Sequence, residues 1–146
     1  GIEDGFPSKF KTRETADHSL PYTVAAALAD NIITQNSFSQ AKINDPEIKR
    51  LLKASTLNEN AELSKGYPDG IPNRIIVHTN DNVYKSEVKY PRGHANNKMD
   101  RSEIFNKFEK NTLGKYSESK IKDISYKIYN LNNFESISEI FMELKI

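Results

Sequence analysis

One segment limits the fold more than any other. Arg74-Ile75-Ile76-Val77-His78-Thr79 is β-branched and apolar, Asn80-Asp81-Asn82 supplies turn formers, and Val83 to Tyr90 alternates between polar and apolar side chains. That pattern predicts an antiparallel hairpin. The clearest periodicity on both sides of it is helical. Pro21 suits a first helical turn, so helix one is placed over Tyr22 to Ile33. Asn36 or Ser37 is expected to cap a short helix through Ile43, and Asp45-Pro46-Glu47 to open another with Ile48, Leu51 and Leu52 on its apolar face. After the hairpin, Asp100 or Ser102 caps a run carrying Ile104, Phe105, Phe108 and Leu113, which Gly114 stops. Ser117 or Ser119 starts a helix with Ile121, Ile124, Ile128 and Leu131 in a stripe. Ser136 or Ser138 starts the last helix, with Ile140, Phe141 and Leu144.

Three stretches are less regular. Gly1 to Thr12 reads as an entering arm, Thr56 to Leu63 as a weak strand, and Gly66 to Pro72 as a loop dense in turn formers. Helices, then strands, then helices predict an α+β fold, with a small antiparallel sheet covered on one face by helices. At 146 residues and 36% hydrophobic content, the chain is read as a single domain over residues 1–146.

Composition narrows the chemistry. With 21 basic and 20 acidic residues the net charge is +1 and the lysines are scattered, which argues against nucleic acid as a partner. The longest apolar stretch, Val24 to Leu28, is far below the roughly 20 residues of a membrane span, so no membrane role is expected and a cytoplasmic location is the simplest. There is no cysteine, which excludes disulfides, thiolate nucleophiles and any iron–sulfur cluster held by this chain. The three histidines sit on unrelated elements without metal-ligand spacing, so no metal site and no cofactor are predicted. The chemistry must run on oxygen and nitrogen groups.

Two polar clusters carry it. Arg13-Glu14-Thr15-Ala16-Asp17-His18-Ser19-Leu20-Pro21-Tyr22 places a cation, two carboxylates, an imidazole and hydroxyls at the head of a helix, where unpaired N–H groups and the dipole favour an anion. Tyr90-Pro91-Arg92-Gly93-His94-Ala95-Asn96-Asn97-Lys98 sets Arg, His and Lys around a glycine, and the two clusters are expected to meet. Each residue also has a plainer reading. His18 caps a helix or binds a backbone carbonyl; Asp17 orients or caps; Arg13 forms a surface ion pair or clamps a carboxylate. His94 pins its loop, and Arg92 and Lys98 are solvated charges. Tyr22 belongs to the core, its hydroxyl reaching a polar edge. His78 is left out of the site.

The first cluster and the alanine-rich helix after it resemble the start of the C-terminal region of the 2-methylcitrate dehydratase family, also called MmgE/PrpD. The second resembles that family's Tyr-Pro-x-Gly-His-Ala pattern, and Phe105-Asn106-Lys107-Phe108 its Lys-Phe helix. The resemblance runs from about Lys11 to Leu144, with both motifs in order. It implies the smaller α+β lid of a two-domain hydro-lyase that dehydrates a hydroxy tricarboxylate in propionate catabolism. The larger N-terminal helical domain would be missing from this chain, and the chain alone inactive. The resemblance also implies the roles: His18 as the catalytic group, Arg13, Ser19, Arg92, His94 and Lys98 binding substrate, and Asp17 orienting. The reaction would be metal-independent. The partners would be a di- or tricarboxylate and the helical domain, with homo-oligomerisation of the full-length enzyme left open. Decarboxylation or epimerisation of a related acid on the same scaffold is the alternative within the family. A non-catalytic module that binds a partner protein is the alternative outside it.

Overall fold

The structure, a computed structural model, describes residues 11–144. The chain divides into two compact units, Gly1–Pro91 and Arg92–Ile146. The predicted entering arm, Gly1 to Thr12, lies almost wholly outside the described residues.

In the first unit, α1 (Arg13–Asp17) is a single short helix that the sequence reading did not anticipate. Thr12 caps it in a reciprocal box with Thr15, and Ala16 is fully buried. The proline-started helix is α2 (Leu20–Asp30), capped by Ser19. It stops three residues before the predicted Ile33 because Asn31 takes a left-handed conformation at φ 55°, a C-terminal geometry that asparagine tolerates. A 3₁₀ turn at Gln35–Phe38 leads into α3 (Gln40–Ile43). The α3 cap is Ser39 instead of Asn36 or Ser37, since Ser37 closes the preceding turn by accepting from Thr34 N. Helix α4 (Pro46–Ala54) starts as predicted, with Asp45 accepting from Glu47 N at 2.9 Å.

The core of this unit is Ala16, Tyr22, Ala25, Ala26, Ile43, Ile48 and Leu52, with Phe38 and Leu51 packed against it. Fully burying a side chain such as Ile48 stabilises by about 1.5–3 kcal/mol. Small alanines let α2 lie close on α4. Lys42 ties this assembly at its rim, donating to Asp30 Oδ1 at 2.6 Å with Asp45 Oδ2 3.6 Å away.

The weak strand predicted at Thr56 to Leu63 is not one. Its end is α5 (Ala61–Ser64), because Asn60 Oδ1 accepts from both Glu62 N and Leu63 N and so caps a helical turn. The hairpin is as predicted, β1 (Asn73–His78) antiparallel to β2 (Val83–Val88) in a two-stranded sheet. Thr79 and Asn82 close its turn through three hydrogen bonds, at 2.8, 3.1 and 3.1 Å. Cross-strand partners share a face, which puts Arg74 against Glu87 in an ion pair and Val77 against Tyr84 on the other side. All strand residues except half-buried Val77 are exposed. The core is therefore helical, and the hairpin contributes little to it.

In the second unit, Asp100 caps α6 (Arg101–Thr112) in a reciprocal box with Glu103, and Gly114 at φ 85° follows its end. The half-buried face of α6 is Phe105, Phe108, Glu109 and Thr112, a helical i, i+3, i+4, i+7 set. Ile104 and Leu113, predicted on that face, are exposed because they fall beside the stripe. Helix α7 (Glu118–Tyr129), capped by Ser117, buries Ile121 and Ile124. Ile128 and Leu131 were expected to extend this stripe and are instead exposed, Leu131 lying in a 3₁₀ turn past the helix end. Helix α8 (Ser138–Glu143) contributes Ile140, while Phe141 is exposed. The chain is thus α+β, helices together with one two-stranded antiparallel hairpin.

Candidate functional site

The first cluster is a helix–turn–helix corner. Ala16 on α1 and Tyr22 on α2 both enter the core, which turns the residues between them outward. His18 follows α1 directly, its side chain 87% exposed. Arg13 opens α1 and is exposed as well. Asp17 Oδ1 lies 3.7 Å from His18 Nε2. That separation is too long for a hydrogen bond, so the carboxylate does not fix the ring. Ser19 is the N-cap: its Oγ accepts from Tyr22 N at 3.2 Å, and its carbonyl accepts from Thr23 N and Thr23 Oγ1. The hydroxyl proton of Ser19 remains a donor. Asp17, His18 and Ser19 thus stand at the positive end of α2, while Arg13 lies at the opposite end of α1.

Tyr22, which closes this motif, is structural. It is fully buried, its hydroxyl donates to the Ser37 carbonyl at 2.8 Å, and burial pushes its pKa up.

The second cluster begins at the head of the second unit, where Gly93 takes φ 97°, a conformation costly for any residue with a Cβ. Gly93 N donates to Asn97 O, and Asn97 N to His94 O, both at 2.8 Å. These bonds close a tight turn that carries half-buried His94. Asn96 N donates to His94 Nδ1 at 3.1 Å. Lys98 is exposed just beyond.

Arg92 is held within the chain. Its Nε donates to Glu103 Oε1 at 2.7 Å, its Nη2 donates to Glu103 Oε2, and its Nη1 donates to Asn97 Oδ1 at 2.8 Å. Glu103 Oε2 also accepts from Asp100 N, and Asp100 accepts from Glu103 N, both at 2.9 Å. The guanidinium holds the Glu103 carboxyl below its ordinary range, and the Glu103 N–H does the same for Asp100. The sequence reading did not pick out Glu103 or Asn97. An acidic residue three places after Asp100 is a capping-box signal that could have found Glu103; its pairing with Arg92 leaves no local mark.

Among the described residues, no group of three or more His, Asp or Glu is placed to hold a metal ion, and no helix is long and apolar enough to cross a membrane. A shallow groove bordered by Glu62, Lys65, Glu87 and Lys89 contains none of the predicted residues.

No curated protein matches the chain. The family model of the MmgE/PrpD C-terminal domain matches residues 3–130, a span that contains both clusters and ends just past α7. With most of its length accounted for in this way, and with both motifs in family order, the chain belongs to the MmgE/PrpD C-terminal domain family.

Proposed function

We propose that this chain is the lid of a metal-independent hydro-lyase that dehydrates 2-methylcitrate or a closely related hydroxy tricarboxylate in the cytoplasm. The family is of dehydratase type. A domain named for its C-terminal position is expected to work with a helical N-terminal one. The observation that carries the proposal is the exposed His18 imidazole at the head of α2, with Asp17 beside it.

Dehydration needs a base for the proton beside a carboxylate, an acid for the departing hydroxyl, and cations that hold the remaining carboxylates still. His18 takes the proton-transfer role. Asp17 stands beside it, and Arg13 and the Ser19 hydroxyl offer donors to a carboxylate. In the second unit, His94 and Lys98 offer an imidazole and an ammonium on a turn anchored by Arg92.

The test is replacement of His18 by Gln in the full-length enzyme, followed by turnover of 2-methylcitrate and by circular dichroism. Turnover falls by about two to four orders of magnitude, the range of general acid–base contributions, while the spectrum is unchanged. Retained turnover would refute the role of His18. Turnover of a related acid by decarboxylation or epimerisation, in place of dehydration, would move the enzyme to a different reaction on the same scaffold.

A further inference from the structure

All three nitrogens of the Arg92 guanidinium donate within the chain, two of them to Glu103 on α6 and one to the turn that holds His94. Glu103 grips the fork at two atoms, and Asp100 N secures Glu103 from the other side. The third donor, Nη1, fixes the side chain of Asn97. Asn97 is bonded through its main chain to both Gly93 and His94. Asn96, enclosed in the same turn, donates its N–H to His94 Nδ1. A ring nitrogen that accepts from an amide cannot carry a proton, so the neutral His94 ring is protonated on Nε2.

We infer that Arg92, Asn97 and Glu103 form a positioning unit that fixes the neutral His94 ring in its Nε2–H tautomer, so that His94 serves as a hydrogen-bond donor and not as a base. Arg92 acts through His94 instead of gripping a substrate carboxylate itself. In a dehydration, a ring of this tautomer donates a hydrogen bond from Nε2 to a substrate carboxylate or hydroxyl, leaving the proton transfers to other groups. This chemical part rests on the hydro-lyase reading; the tautomer and its dependence on Arg92 do not.

The experiment is a long-range ¹H–¹⁵N correlation spectrum of the imidazoles in the chain at a pH where the rings are neutral. The wild-type His94 signals are expected at the Nε2–H tautomer. In Arg92→Gln the ratio of the two tautomers falls by about two- to tenfold, the weight of one hydrogen bond. Glu103→Gln moves it in the same direction and serves if the arginine variant does not fold. A wild-type ring protonated on Nδ1 would overturn the inference. So would a ratio unaltered in both variants, or an Arg92→Gln enzyme that keeps the tautomer but raises KM, which would make Arg92 a direct substrate ligand. If the tautomer behaves as expected while His94→Gln leaves kcat and KM for 2-methylcitrate unchanged, the function assigned to His94 fails and the positioning unit stands.

Discussion

Replacing Tyr22 by Phe separates the structural part of the first motif from its chemistry. Tyr22 is fully buried, and its hydroxyl joins α2 to the 3₁₀ turn through the Ser37 carbonyl at 2.8 Å, across fifteen residues of sequence. Phenylalanine keeps the ring, its burial and its tilted packing on Phe38 at 5.9 Å, so no cavity forms. The loss is one hydrogen bond, with a buried carbonyl left short of its donor, which costs about 1–2 kcal/mol. Tyr22→Ala, by comparison, removes the ring and costs about 3–5 kcal/mol. Amide hydrogen exchange of α2 reads the difference locally, without requiring the two units to unfold together. The most protected α2 amides should exchange about 5- to 30-fold faster in Tyr22→Phe, the population factor for that energy. In the full-length enzyme, turnover measured under conditions where the protein stays folded should remain near wild type. Unchanged exchange would show that the hydroxyl bond contributes nothing. Unchanged exchange together with turnover as low as that of His18→Gln would make Tyr22 a reacting group, and the structural assignment would be wrong.

Other outcomes follow from the same contacts. Asp45, Asp100 and Glu103 all have pKa values lowered in the folded chain, by the Glu47 N–H, the Glu103 N–H and the Arg92 guanidinium respectively. A carboxylate with a lowered folded pKa gives its full stabilisation above the unfolded value, about pH 4, and loses it as pH falls through the depressed value. Protection factors at the starts of α4 and α6, with the intrinsic pH dependence of exchange divided out, should therefore fall in acid below that range and stay flat from there to neutrality; flat behaviour in acid too would contradict the assigned bonds. Gly93→Ala forces a Cβ onto a residue at φ 97°. It should lower the melting temperature of the second unit by the few degrees expected of about 1–2 kcal/mol and shift the His94 resonances. A neutral result would mean the turn has another conformation.

Much of this was legible in residue order. The hairpin could be read because β-branched alternation on either side of a short polar turn has no good helical alternative, and the caps Asp45, Asp100 and Ser117 because a short polar side chain before an apolar run satisfies the same N–H groups wherever it occurs. The false strand before Leu63 shows the limit, since weak alternation lost to a single asparagine cap. Ile104 and Leu113 show another, because apolar spacing marks a face without saying how much of it is covered.

The sequence alone determined the hairpin, most of the longer helices, the family motifs and the placing of His18 at a helix head, since each depends on contacts within a few residues. Tertiary structure decided that the Tyr22 hydroxyl binds the Ser37 carbonyl and that Arg92 binds Glu103 and Asn97. Both are pairings between segments brought together by folding, where a buried hydroxyl must find an acceptor and a guanidinium takes the carboxylate nearest to it in space. Neither partner can be named from the order of residues along the chain.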